Sequence, residues 1–290
     1  FDQFDVVIGD EAHLFKANSL TKIMTKLENC DYRFGFTGTL DGTQTHRLVL
    51  EGLFGSVMKV ISTKELIETD RIADLRIKAL VLKYSDETRK IMKEAKYDEE
   101  IKFLAQCSER NNFIKNLALG RTGNTLVLFQ MVEKHGRILY DLINSKAGKR
   151  KIFFIYGGVD VEERERAREI TEKENDAIII ASYGTFSTGI NIRNLHNIIF
   201  ASPSKSRIRN LQSIGRGLRK GDKKNKATLY DIADDLSYKS WNNFTLKHFA
   251  VRVKMYNEEE FDYKIYNIRL KDDNSNKTSK FRNTSSTANL

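Results

Sequence analysis

The sequence predicts an α/β fold built on open parallel sheets. Two observations predict it. Short β-rich runs alternate along the chain with polar, helix-patterned stretches, the order that places crossover helices between parallel strands. Several of those runs are apolar throughout, as expected of strands covered on both faces.

In chain order, the first strand is predicted at residues 6–8, Val-Val-Ile, and gives way at Gly9 to an acidic turn. A helix at 19–28 leads to a second strand at 33–36, which ends at Thr37-Gly38-Thr39. A polar stretch over 62–75 separates this pair from a longer series. That series has strands at 77–82, 125–129, 152–155, 177–181, 197–200 and 227–232. Its helices are predicted at 110–119, 133–144, 161–174 and 208–218. A chain of 290 residues is long enough for two domains with separate cores. Residues 1–64 read as the end of one α/β domain, 65–75 as a linker and 76–270 as a more complete second domain. Residues 271–290, rich in Ser, Thr, Asn and Lys, are expected to form a disordered tail. The chain opens at Phe1, without Met, so a piece of a longer protein is expected.

Composition narrows the class. Hydrophobic content of 40% is globular. Apolar stretches such as 177–181 are far too short to span a bilayer, and no membrane partner is expected. Cys30 and Cys107 form no CxxC or Cys/His cluster, which argues against a zinc or disulfide scaffold and fits a reducing cytoplasm. The 49 Lys and Arg against 39 Asp and Glu give a net charge of +10. Such a surface either binds a polyanion or is simply solvated. The basic residues cluster at Lys146, Lys149, Arg150 and Lys151, and again from Lys205 to Lys226.

Chemistry concentrates in a few segments. Asp10-Glu11-Ala12-His13 follows the first strand, at the carboxyl end where open α/β sheets bind ligands. Asp10 is the expected magnesium partner, and Glu11, a second metal-side carboxylate, would polarise an attacking water. An ordinary acidic turn fits the same residues. Gln212-Ser213-Ile214-Gly215-Arg216-Gly217-Leu218-Arg219 is more specific. On a helix Gln212, Arg216 and Arg219 share one face, while Leu211, Ile214 and Leu218 share the other and can anchor it. Gly215 and Gly217 are poor helix formers, and close approach of a phosphate or a partner domain would favour them there. The hydroxyls of Thr37 and Thr39 could bond the carboxylates and relay their state. Residues 181–192, Ala-Ser-Tyr-Gly-Thr-Phe-Ser-Thr-Gly-Ile-Asn-Ile, suit phosphate contacts through exposed backbone N–H groups, or form an ordinary Ser/Thr/Gly loop. His13, His46, His135, His196 and His248 show no metal-ligand spacing. Trp241, Tyr256, Tyr263 and Tyr266 could stack on bases, but packing of a last helix is their expected role.

These segments in this order resemble the superfamily 2 helicases and translocases, with RecA-like domains. Residues 10–13 resemble motif II in its DEAH form, 37–39 motif III, 126–130 motif IV, 182–191 motif V and 212–219 motif VI; Tyr156-Gly157-Gly158 resembles a further conserved loop. The resemblance covers about residues 1–235 and is greatest to the UvsW-type recombination helicases of T-even-like bacteriophages. It implies the end of a first helicase domain and a complete second one. It implies ATP and Mg2+ as cofactors and branched or forked DNA as partner, with RNA in RNA–DNA hybrids also in reach. The carried-over roles place His13 with the acidic pair, Gln212 at the γ-phosphate, and Arg216 and Arg219 as arginine fingers. Gly189 and Asn191 would lie near the nucleotide, Gly157, Ser182, Tyr183 and Thr185 near the nucleic-acid backbone, and Thr37 and Thr39 would couple the two. Motif V often carries Asp where this chain has Asn191, which weakens a charge-mediated contact there. The expected state is a monomer in the cytoplasm, of a bacterial host cell if phage-encoded.

No GxxxxGK[ST] phosphate loop occurs in these 290 residues, so the fragment alone is expected to hydrolyse little ATP. Two other readings fit the motifs: the motor of a restriction system or an RNA helicase, and a non-catalytic nucleic-acid-binding module.

Overall fold

Two parallel strands, β1 (Val6–Gly9) and β2 (Tyr32–Gly35), begin the chain in register from Val6 against Tyr32 to Gly9 against Gly35. A computed structural model describes residues 3–189, 192–219 and 226–270. The expected tail at 271–290 lies outside the described residues. The chain falls into two units, Phe1–Ser62 with Ser206–Gln212, and Thr63–Lys205 with Ser213–Leu290.

In the first unit α1 (Asn18–Thr25) and α2 (Gln44–Phe54) cover one side of the strand pair. Met24, Leu27, Cys30 and Leu53 form its core, with Val7, Phe15 and Phe54 packed against them. Gly9 and Gly35 admit this packing, because a Cβ on either would meet the Phe54 ring at 2.9 Å. Alternation along the strands turns other residues away from that core. Val6, Ile8, Tyr32, Phe34 and Phe36 are exposed, although parallel sheets are ordinarily covered on both faces.

The second unit contains α3 (Thr63–Glu68), β3 (Asp74–Lys83), α4 (Asp86–Ile91), α5 (Tyr97–Gln106) and α6 (Ser108–Leu119). It continues through β4 (Thr125–Phe129), a π-type turn at Val132–Gly136, α7 (Arg137–Asn144), β5 (Ile152–Ile155) and α8 (Val161–Lys173). Then come β6 (Ile178–Ser182), α9 (Tyr183–Gly189), β7 (Asn197–Phe200), α10 (Arg207–Gly217), whose residues up to Gln212 fall in the first unit, β8 (Lys226–Asp235), α11 (Phe244–Glu258) and β9 (Tyr263–Arg269). The seven strands form one parallel sheet in the order β5-β6-β4-β7-β8-β3-β9. β4, β6 and β7 are buried at every residue, so their sequences show no polar alternation. β4 lies between β6 and β7, and the strand order reverses there. The carboxyl ends of these three strands flank the crevice in which sheets of this kind take ligands.

Polar groups organise the interior of this unit. Asp231 and Asp234 stand three positions apart on β8 and so face opposite sides of the sheet, and both are fully buried. On one side the Arg110 guanidinium of α6 donates to Asp234 from Nε at 2.8 Å and Nη2 at 3.0 Å, and Tyr84 Oη donates at 2.7 Å. On the other, Arg252 of α11 donates from Nε to Asp231 at 2.9 Å, and Tyr256 Oη donates at 2.9 Å. Burial disfavours charge on Arg110, but Asp234 outweighs it and raises its pKa. Burial, reinforced by the neighbouring aspartates, also drives both tyrosines well above their usual range.

Glu100 of α5 is also fully buried, and it caps α11. Its carboxylate accepts from the backbone N–H groups of Phe244 at 2.9 Å and Thr245 at 2.7 Å, two donors a helix start leaves unpaired. Among the aromatic residues, Tyr256 is fully buried, Trp241 and Tyr266 pack against the larger core cluster and Tyr263 against the smaller one, which is the packing role expected from the sequence. No helix among the described residues is long and apolar enough to cross a membrane.

Removing one partner of a buried ion pair leaves a bare charge behind. Arg110→Ala should therefore lower stability of the larger unit by about 3–5 kcal/mol in chemical denaturation, and Arg110→Leu with Asp234→Leu should recover most of the loss.

Candidate functional site

In the first unit, the turn after β1 carries Asp10, Glu11 and His13. Glu11 adopts a left-handed backbone conformation, φ 48° and ψ 49°, a strained geometry for a residue with a side chain. That twist ends the strand and starts a short 3-10 turn at Ala12–Leu14, with Ala12 N–H donating to Phe36 O at 2.8 Å. Asp10 Oδ1 accepts the Glu11 N–H at 2.8 Å. His13 is buried, its Nδ1 lying 2.9 Å from Thr37 Oγ1 and 3.2 Å from Glu11 Oε2. Thr37 Oγ1 donates to Thr39 O at 3.0 Å and accepts the Thr39 N–H at 3.3 Å. With the Thr37 proton committed to Thr39, the proton shared with Thr37 belongs on His13 Nδ1. Burial lowers the His13 pKa against the opposing pull of Glu11, so the ring is neutral at pH 7.

The threonines were expected to bond the carboxylates themselves. The structure routes the contact through His13 instead, because the imidazole lies between Thr37 and Glu11. Asp10 and Glu11 remain exposed and offer hard oxygen donors, which suit magnesium. Among the described residues no group of three or more His, Cys, Asp or Glu side chains is arranged to hold a metal ion by itself. A magnesium ion held here would complete its shell with phosphate oxygens and water, as that ion commonly does.

In the second unit, β6 runs straight into α9, where the sequence suggested a loop. Ser182 explains the helix. Its Oγ accepts the Thr185 N–H at 3.3 Å and pairs with Thr185 Oγ1 at 2.9 Å, the geometry of an N-cap. Buried Phe186 anchors the first turn. Ser182, Tyr183 and Thr185 are all buried, so their side chains are turned away from solvent and Gly184 is the exposed member of the segment. Tyr183 Oη donates to Ser202 O at 3.1 Å. Gly189 ends α9, while Asn191 lies outside the described residues. Gly157 sits on the exposed turn after β5, with nothing near its Cα that a side chain would strike.

At the ends of β4 and β7 stands a cluster the sequence did not reveal. Ser202 Oγ accepts the Gln130 N–H at 3.1 Å and pairs with His135 Nδ1 at 3.0 Å. Burial, with repulsion from Arg110, pushes the His135 pKa down to about 3. Arg110 Nη2 donates to Ala201 O at 2.8 Å and Arg252 Nη1 to Ser204 O at 2.9 Å.

α10 presents Gln212 and Arg216 on a partly exposed face, with Ile214 and Leu218 buried. The helix ends at Gly217, so Arg219 lies beyond it and not on the helical face predicted for it. Arg216 stands over the Phe186 ring at 5.8 Å from its centroid. Gly217 faces β7, and a Cβ there would come within 2.1 Å of Ile198 Cδ1. Close helix–strand packing inside the unit accounts for this glycine, and not approach of a phosphate. Gly215 has open space around it. In the first basic cluster, Arg150 and Lys151 pair with Asp176 and Glu174.

Residues 109–221 match the helicase conserved C-terminal domain. The chain is 35% identical over 283 residues to the ATP-dependent DNA helicase UvsW of Enterobacteria phage T4, covering 93% of this chain and 56% of that protein. It is 23% identical over 250 residues to putative helicase 22 of a Sulfolobus islandicus filamentous virus, covering 79% and 42%. The crystal structure of T4 UvsW aligns with a TM-score of 0.60 at 34% identity, over 93% of this chain and 55% of that one. The type ISP restriction-modification enzyme LlaBIII, bound to DNA, aligns at 0.63 with 15% identity over 93% and 22%, a likeness of fold alone. The chain thus spans about half the length of the curated relatives it matches.

The two glycines of α10 should behave oppositely. Gly217→Ala should destabilise by about 1–3 kcal/mol, since Ile198 is buried and cannot yield. Gly215→Ala should be neutral or stabilise by up to about 1 kcal/mol; thermal unfolding of both variants checks this.

His135 makes a pH prediction. An unfolded chain takes up a proton on this histidine between pH 6.5 and about 3, which the folded chain refuses. Its share of the stability is present above that window and is lost as pH falls through it, by about 1.4 kcal/mol per unit. His135→Asn should reduce the acid slope of stability by up to one proton, measured by denaturation at a series of pH values.

Proposed function

We propose that this chain, which belongs to the helicases through its conserved C-terminal domain at residues 109–221, is part of an ATP-dependent DNA helicase. The full-length protein would be a translocase acting on forks, Holliday junctions and R-loops in recombination and repair. It would work as a monomer in the cytoplasm of a bacterial host. The likeness to T4 UvsW supports the DNA motor reading over most of the chain.

One observation carries the chemistry: across the carboxyl ends of β1 and β2, His13 Nδ1 lies 3.2 Å from the Glu11 carboxylate and hydrogen-bonds Thr37, which in turn bonds Thr39. A carboxylate that polarises water must be held in one orientation and must respond to what the rest of the protein binds. Neutral His13 holds Glu11 without competing for a proton, and Thr37 ties both to the turn after β2. Glu11 would orient the attacking water, and Asp10 with Glu11 would hold magnesium. Bound magnesium would supply charge neutralisation on the phosphates. Gln212 would contact the γ-phosphate. Arg216 and Arg219 would stabilise charge on the transferring phosphoryl group, and Gly189 and Asn191 would flank the nucleotide. The backbone at Gly157 and around Ser182, Tyr183 and Thr185 would follow the nucleic acid. The phosphate-gripping loop would come from sequence beyond these 290 residues, and the exposed apolar face of β1 and β2 supports a sheet whose second face is covered by further elements.

In the full-length protein, Glu11→Gln and Arg216→Ala should each cut DNA-stimulated ATP hydrolysis by about a hundredfold or more, with the unfolding midpoint retained. Turnover near wild type in either variant would refute the assignment of that residue. Stimulation by forked DNA should exceed that by duplex RNA; the reverse order would favour an RNA motor.

A further inference from the structure

We infer that Ser202 is a positioning residue that couples nucleic-acid contacts to the arginines of α10. The inference rests on the helicase reading above and extends it to a residue outside every segment discussed there.

Ser202 is buried just past the end of β7, and three separate segments converge on it. The turn after β4 reaches its Oγ through Gln130 N–H at 3.1 Å. The π-type turn reaches the same oxygen through His135 Nδ1 at 3.0 Å. The first residue of α9 reaches its carbonyl through Tyr183 Oη at 3.1 Å. A hydroxyl that accepts from Gln130 and donates to a neutral imidazole uses its proton and a lone pair at once. His135 stays neutral across the ordinary pH range, since burial and then Arg110 hold its pKa near 3. The cluster is thus a fixed joint and not a pH switch.

What lies on the far side of the joint gives it a role. Ser202 is followed by Pro203, the single proline of the chain, whose ring fixes φ. Arg252 holds Ser204 O. Ser206 then caps α10, its Oγ accepting the Arg209 N–H at 3.4 Å and its carbonyl the Asn210 N–H at 3.0 Å. Only three residues separate Ser202 from that cap. A short segment held at successive carbonyls has little slack to absorb a displacement. Movement of the start of α9, the segment proposed to follow nucleic acid, therefore reaches α10 and Arg216 through Ser202. A demonstrated coupling free energy, and not adjacency alone, is what would establish this path.

The test is the ratio of DNA-stimulated to basal ATP hydrolysis in the full-length protein, for wild type, Ser202→Ala and Tyr183→Phe. Loss of active protein scales both rates equally and leaves the ratio alone, whereas loss of coupling lowers it. The expected result is a fall in the ratio of about fivefold or more in each variant, the lower end of ordinary coupling between sites. His135→Ala should lower it likewise, and His135→Asn, whose side-chain carbonyl can still accept from Ser202 Oγ, should restore part. A wild-type ratio in either Ser202→Ala or Tyr183→Phe overturns the inference and leaves the helicase reading standing. Hydrolysis by the wild type that DNA does not stimulate overturns both.

Discussion

Asp231 and Asp234 place two carboxylates in the driest part of the larger unit, one on each side of the sheet. Neither could remain charged there alone, since an unpaired buried carboxylate costs far more than folding can spare. Each is met by one arginine and one tyrosine, those of Asp234 from elements distant in sequence and those of Asp231 from the next helix, α11. The arginines do more than neutralise. Each has an N–H left over, and each directs it at the segment between β7 and α10, at Ala201 O and at Ser204 O. That segment is thereby gripped from both faces of the sheet. A requirement of electrostatics thus fixes the path of the chain into the helix that bears Arg216.

The same economy appears in the first unit on a smaller scale. A strained Glu11, a neutral His13 and Thr37 form one connected group, and the strand register that brings Gly9 beside Gly35 sets it up. In both units the polar groups stand where strands end, and apolar packing behind them leaves little freedom to rearrange. Such sites suit work in which a ligand must be sensed and its presence passed on, because rigid neighbours transmit displacement better than soft ones.

Much of this architecture was legible in the sequence where burial is complete. The strands at 125–129, 152–155 and 197–200 appear at their predicted bounds, because uninterrupted apolar runs bounded by polar residues admit little else. α9 was not legible, since its Ser, Thr and Gly content suits a loop until Ser182 is seen to cap it. β9 was missed as well. It is an edge strand of mixed polarity, and its place beside β3 depends on contacts nearly two hundred residues apart. Arg110 and Arg252 read as surface charge in any sequence count, and only Asp231 inside an apolar run hinted that cations would be drawn inward. The acidic turn and the threonine turn were each legible as candidates. Their connection through His13 was not, because it depends on the register of β1 against β2.

The buried ion pairs hold residues 201–204 in place. Hydrogen–deuterium exchange of that segment, compared between wild type and Arg110→Leu/Asp234→Leu, tests it most directly. The N–H groups of Ala201 and Ser202 both donate to Leu128 O and should be protected in the wild type. The double variant should keep protection across β4, β7 and β8 while 201–204 exchanges faster. Equal protection of 201–204 in both proteins would contradict it.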